Sequence, residues 1–389
     1  MSLKEISIRS SARVLVSAER LLRPSAASAR GSVLILEYLL PLGCCVHLTP
    51  VYEAIKRDRP DTTLTVVTRG LGLSLLRHHP FIDHLIETPD VFASPLNAAR
   101  TLRAALKSRS VYPSLILTGA SDQRTSIAAL AMFTSSAIRG GFTIYPDLYQ
   151  RPLTYDRNRS LIDNNLQLAS LAGASSAHLE PRVFFSEADL ETARELAGQA
   201  NPEGKPQVVF VTQNSGGQLT GWHTDRFVQV IRHAHDKLGC SVVYVGTDKD
   251  NPAIEEIRRA AGGIGTSLVG RTSVTELAAL LALSDAVVSL DTGTMHIGRA
   301  VQLPMVILGP SWQRPTEWLP LGHPWVRILR GPDIDRKEIP AGYRLDEIEA
   351  SAVIAALEDL LSAYPPSEVS RAERVAASLS AVDHRRTAS

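Results

Sequence analysis

With only three cysteines in 389 residues, two of them adjacent at Cys44 and Cys45, the chain has neither a disulfide framework nor a C-x-x-C metal pair. Such sparing use fits a reducing compartment. Nor is there an apolar run of the roughly 20 residues that a membrane-spanning helix needs, because the nearest candidate is interrupted by Glu37, Pro41 and His47. A net charge of +1 leaves no basic excess for nucleic acid. No G-x-G-x-x-G follows the first strand-like run, where Leu42-Gly43-Cys44-Cys45 stands, which argues against a nicotinamide dehydrogenase. What is present, 44% apolar and 21% charged residues, suits a soluble globular protein long enough for two domains.

Two halves each alternate apolar strand-like runs with helix-length segments, the pattern of doubly wound parallel sheets. The strands expected in the first half are 33–37, 63–68, 84–87, 114–118 and 137–141. Those in the second are 207–212, 241–246, 267–268, 286–290 and 305–308. A helix over 186–204, with Glu187, Asp189 and Glu191 in its opening turns, places the domain boundary near 186–206. The expected division is an N-terminal extension (1–30), a first Rossmann-like domain (31–185), a second (186–345), and a C-terminal helix and tail (346–389). The Ser-, Ala- and Arg-rich extension reads as an extra helix able to touch an anionic membrane surface. Arginines at 9, 13, 20 and 23 interrupt the apolar core an export signal would need. The tail from 367 reads as a frayed helix end followed by disorder.

The chemistry concentrates in Ser289-Leu290-Asp291-Thr292-Gly293-Thr294-Met295-His296, between a strand-like and a helix-like run. Gly293 lets the backbone approach a ligand, the first amides of the helix are unpaired donors with partial positive charge, and His296 adds a hydrogen bond or a charge. A phosphate fits there. Asp291 would be repelled by it, so its task lies with the non-phosphate part of the ligand. The plainer alternative is that Asp291 or Thr292 merely N-caps the helix.

Downstream lie Leu303-Pro304-Met305-Val306-Ile307-Leu308-Gly309-Pro310, then Trp312, Pro315, Trp318 and Pro320-Leu321-Gly322. Together with the DTG-x-x-His loop they resemble the C-terminal signature of glycosyltransferase family 9, the lipopolysaccharide heptosyltransferases, with Ser311 where Thr is usual. The resemblance implies an α/β fold of the GT-B type, two Rossmann-like doubly wound domains facing an interdomain cleft. It also implies donor contacts at Ser215 and Gly216 after the strand at 208–212. Asp250 would hold the ribose hydroxyls, with Asp248 as the alternative, and Thr272 would lie beside the base. Thr292, Gly293, Thr294 and His296 would take the phosphates and Asp291 the transferred sugar. Each has a bland counterpart: Asp250 as a helix-start residue, the 215–217 segment as a simple turn, Trp222 as packing.

In the first half the pattern departs from the family. Leu42-Gly43-Cys44-Cys45-Val46-His47-Leu48-Thr49-Pro50 keeps the Gly and the Thr-Pro expected to open a helix. However, Cys44 stands where the family has its Asp base, Tyr38 where a basic residue is expected, and Thr220 where a phosphate-binding Lys is common. Replacement bases are Glu37 at a strand end, Cys44 as a thiolate, and His47. A small apolar filler is the plainer role for Cys44.

The activity implied is inverting, metal-independent transfer of a sugar, heptose by resemblance, from a nucleotide-diphosphate sugar to a lipopolysaccharide-core or other glycan acceptor. An ADP-sugar is the favoured donor, and no other cofactor and no metal is assigned. The expected setting is cytoplasmic, peripheral at the inner membrane, with glycan or glycolipid acceptors and no nucleic-acid partner. The alternatives are a degenerate member serving as a sugar-, nucleotide- or partner-binding module, and a nucleotide-sugar epimerase.

Overall fold

The computed structural model describes residues 31–38, 41–121, 123–135, 137–214 and 221–384. The chain forms two compact units. One comprises residues up to Pro181 together with the segment from Asp383, and the other runs from Arg182 to Val382.

The first unit runs β1 (Ser32–Leu36), α1 (Leu42–Asp58), β2 (Thr63–Thr68), α2 (Leu71–Leu76), β3 (His84–Glu87), α3 (Pro95–Ser108), β4 (Leu115–Thr118), α4 (Thr125–Thr134), β5 (Ile138–Phe142), β6 (Arg151–Leu153) and α5 (Leu161–Leu171). The second runs α6 (Glu187–Ala200), β7 (Gln207–Val211), α7 (Thr224–Asp236), β8 (Ser241–Tyr244), α8 (Asn251–Ala260), β9 (Thr266–Ser267), α9 (Val274–Leu283), β10 (Ala286–Leu290), α10 (Gly293–Ala300), β11 (Met305–Leu308), α11 (Pro315–Trp318), β12 (Val326–Leu329), α12 (Ala350–Ala363) and α13 (Glu368–Ser378).

Both sheets are wholly parallel and share one order, β3-β2-β1-β4-β5-β6 in the first unit and β12-β11-β10-β7-β8-β9 in the second. Helices cover both faces, so β1, β4, β7, β10 and β11 bury every residue, as continuous apolar runs such as Ser32–Leu36 and Ala286–Leu290 require. In each sheet the order reverses between the first and fourth strands, which makes a switch point at the carboxyl edge. In the first unit Leu36 pairs with Thr118, so Glu37 and Gly119 emerge side by side. In the second, Ser289 pairs with Val211, so Asp291 and Thr212 leave from the same edge.

Two expectations are corrected. Thr49-Pro50 does not open a helix: Pro50 lies inside α1, which starts at Leu42. Proline cannot donate to the carbonyl four residues back, and the Thr49 hydroxyl donates to Val46 O at 2.9 Å instead, which keeps that carbonyl bonded. The segment from 367 is not a frayed end, since α13 packs on α9 and its Arg371 pairs with buried Asp285 at 2.6 Å. The helix α12 packs on α7, β11 and β12 within the second unit. The 1–30 extension lies outside the described residues.

Candidate functional site

The loop after β10 is not capped by its own side chains. Thr292 occupies the N-cap position of α10, yet its hydroxyl makes no capping bond and has no partner among the described residues, although the residue is only 8% exposed. The first main-chain bond of the helix is His296 N–H to Thr292 O at 3.3 Å, so the amides of Gly293, Thr294 and Met295 precede it without a main-chain acceptor among the described residues. Asp291 does not cap either. Its Oδ1 lies 3.5 Å from His296 Nε2, and its Oδ2 accepts a hydrogen bond from the Gln313 amide at 2.9 Å. Gln313 Oε1 in turn accepts from Trp318 Nε1 at 3.1 Å, and the Trp318 ring is 6.3 Å from that of His296. Asp291 and His296 are both buried. The result is a strand-to-helix corner whose acidic group is held aside while its donors stay available, the arrangement an anion needs.

Below this corner Ser311 donates to Glu347, which also accepts from the Tyr343 hydroxyl at 2.6 Å. Burial, and then that bond, push the Tyr343 phenol up to about 12. Arg330 donates to Ser311 O and Gln313 O at 3.1 Å each, which fixes the backbone that carries Gln313.

At the switch point of the first unit, Glu37, Cys44, Cys45, Leu48, Gly119, Ser121 and Asn165 line a pocket. Glu37 is 2% exposed and accepts from the Tyr52 hydroxyl, one α1 turn beyond Leu48. Asn165 of α5 accepts from Ala120 N–H at 2.9 Å and donates to His47 O at 3.2 Å, so one side chain sets the spacing of the two walls. Tyr38, at the position where a basic residue was expected, shares a 2.5 Å hydrogen bond with Thr88 and is buried.

Residues 124–331, more than half of the chain, match glycosyltransferase family 9 (heptosyltransferase). The chain belongs to this family. Lipopolysaccharide heptosyltransferase 3 of Escherichia coli is 22% identical over 333 residues, covering 80% of this chain and 94% of that protein. In fold the chain is similar to a glycosyltransferase family 9 protein from Veillonella parvula, with a TM-score of 0.74 and 17% identity over 86% of this chain and 98% of that one. It is also similar to an E. coli heptosyltransferase in complex with ADP-2-deoxy-2-fluoro heptose, with a TM-score of 0.62 and 16% identity over 84% of this chain and 99% of that one. The chain is thus a divergent member of glycosyltransferase family 9, built on two Rossmann-like α/β units.

Seen against the family pattern, the other expected donor residues vary in setting. Ser215, Gly216 and Thr220 lie outside the described residues. Asp250 is engaged locally: its Oδ2 accepts from Thr247 N–H at 2.7 Å and from the Thr247 hydroxyl at 2.8 Å, leaving Oδ1 without a bond among the described residues. Asp248 lies over Gly270, whose φ of +70° favours glycine, and a Cβ there would meet Asp248 Oδ1 at 1.8 Å unless that carboxylate turned aside. In the Asp248-Lys249-Asp250 triplet after β8, Asp250 is thus tied to Thr247, and Asp248 lies against Gly270. Among the described residues no group of three or more His, Cys, Asp or Glu side chains could hold a metal. Thr272 is half-buried just before Ser273, the cap of α9. Trp222 packs edge-on against Phe227 at 4.8 Å and donates to Ile348 O at 2.9 Å, a core role.

Sequence reasoning missed Gln313, Trp318 as its partner, and Tyr52. Only position could have flagged the first two: they follow a strand at the carboxyl edge beside the DTG loop.

Proposed function

We propose that this chain is an inverting glycosyltransferase of lipopolysaccharide-core synthesis that uses an ADP-sugar, with heptose as the transferred sugar. The observation that carries the proposal is the uncapped start of α10, with buried Thr292 lacking a partner and Asp291 drawn away from the amides. The relative solved with ADP-2-deoxy-2-fluoro heptose supports the choice of nucleotide and sugar. In this reading the acceptor hydroxyl oxygen bonds to the anomeric carbon from the face opposite the diphosphate. The bond from that carbon to the diphosphate oxygen breaks, its electron pair leaves with ADP, and the hydroxyl proton passes to a base.

The amides after Thr292, the helix dipole and His296 stabilise the charge that develops on the departing diphosphate, and Asp291 faces the sugar. No further cofactor is assigned to this step. Glu37 is the proposed base, because a carboxylate can take a hydroxyl proton at neutral pH, and the Tyr52 hydroxyl fixes its direction. Cys44, in the first turn of α1, lines the same pocket and is the second candidate. Among the described residues no helix is long and apolar enough to cross a membrane. A lipid-linked core acceptor would bring the protein to the cytoplasmic face of the inner membrane.

The test is calorimetric titration of ADP, GDP and UDP into the wild type and into His296→Ala. Selective ADP binding, weakened about tenfold (roughly 1.4 kcal/mol) by the substitution, is the expected result. Absence of binding by all three at millimolar concentration would favour a binding module that has lost the donor site.

A further inference from the structure

We infer that Gln313 is a positioning residue that keeps Asp291 from occupying the anion site itself. The inference deepens the donor-site reading and rests on it. Asp291 stands two residues before Gly293 and three before Thr294, the spacing at which an aspartate side chain accepts from backbone amides in Asx turns and helix caps. The amides carry the positive end of the α10 dipole, so a nearby carboxylate with no other tie would turn onto them. It would then hold the donors a phosphate needs.

In this protein the carboxylate is turned elsewhere. Oδ2 takes the Gln313 N–H at 2.9 Å and Oδ1 faces His296 Nε2 at 3.5 Å. Neighbouring groups fix the orientation of the Gln313 amide, since its carbonyl accepts from Trp318 Nε1 at 3.1 Å. Arg330 holds the Gln313 backbone through its carbonyl. The unpartnered Thr292 hydroxyl is the second sign that this corner is kept open, because a cap residue with its hydroxyl idle is the opposite of what helix stability favours. Gln313 thus does two things at once: it leaves the amides vacant, and it points one edge of Asp291 at the place where a sugar joined to the bound diphosphate would lie.

The experiment is a double-mutant cycle read by ADP calorimetry in the full chain, with Gln313→Met as a donor-free variant of similar size. Gln313→Met is expected to bind ADP about tenfold more weakly than wild type, as the released Asp291 competes for the amides. Asp291→Ala alone should bind ADP at least as tightly as wild type, and the pair Asp291→Ala with Gln313→Met should return to within about twofold of Asp291→Ala. Trp318→Phe, which removes the donor holding Gln313, should show the same rescue on a smaller loss. A merely structural role for Gln313 predicts equal losses with and without Asp291, and that outcome overturns the inference. So does Gln313→Met binding ADP like wild type. Failure of wild type to bind ADP overturns the donor-site reading, and this inference falls with it, so the two failures are told apart by the first titration.

Discussion

The two units have the same strand order and the same switch point, yet they furnish it with opposite chemistry. In the second unit the corner after β10 offers backbone amides and a histidine and draws its one carboxylate aside. In the first unit the corner after β1 presents a buried carboxylate, Glu37, with two thiols and an asparagine around it. In the proposed reading one edge receives negative charge and the other accepts a proton. A shared topology fixes where a site can be, and the loop residues decide which half of a transfer reaction each edge can serve.

The largest effect that would sharpen this contrast lies at Glu37. If it is the base, Glu37→Gln should lower kcat by about 10²–10⁴-fold, with ADP affinity unchanged because the donor corner belongs to the other unit. Cys44→Ala should change kcat by no more than about threefold if that thiol is only a small apolar filler. Steady-state kinetics with an ADP-sugar and a core-glycan acceptor check both, and a reversed ranking would move the base to Cys44.

A smaller effect is expected at Thr292, and it distinguishes a receptive corner from an ordinary helix cap. The hydroxyl is buried and has no partner among the described residues, so Thr292→Val removes a group that holds nothing in the fold. Thermal stability should hold or rise by up to about 1 kcal/mol, while ADP affinity falls by a comparable amount. If stability drops instead, the hydroxyl is a cap after all and the corner loses its claim to be a site.

How much of this was written in the sequence follows the burial of each element. Ten strands announced themselves because inner parallel strands are continuous apolar runs between turn residues, and four of the second-half strands lie within a residue of their expected limits. The two that were missed, β6 and β12, are edge strands. Arg151-Pro152-Leu153 is short, exposed and contains a proline, and it forms a strand only because β5 offers it a partner. Val326–Leu329 is half-buried and follows an irregular stretch, so its identity depends on β11. The DTG corner was legible because the residues that form it are adjacent in the chain. Gln313 was not, since a glutamine in a loop has no motif and its role comes from a neighbour 22 positions earlier, Asp291, that only folding brings near. Tyr52 was hidden for the same reason, being one residue of an apolar helix face until the structure pairs it with Glu37.

The smallest predicted effect separates the units by pH. In the first unit His178 lies between two carboxylates, with Nδ1 2.6 Å from Asp163 of α5 and Nε2 2.7 Å from Glu180. The hydrogen bond to Glu180, with help from Asp163 and against partial burial, raises the imidazole to about 9. A protonated ring donates from both nitrogens, whereas a neutral ring can donate to only one of the two acids. Because the folded value lies above the unfolded one, this stabilisation is fully present below about pH 6.5 and is lost as the pH rises through about 9. The ring is nearly half exposed, so solvent screening keeps the contribution below about 1 kcal/mol. Amide exchange at pH 6.5 and 9.5 should show the 174–181 segment losing protection at the higher pH in the wild type and not in His178→Gln, once exchange rates are corrected for pH. Equal behaviour of the two proteins would mean that the His178 pairs hold nothing in place, and that the first unit is no more sensitive to alkali than the second.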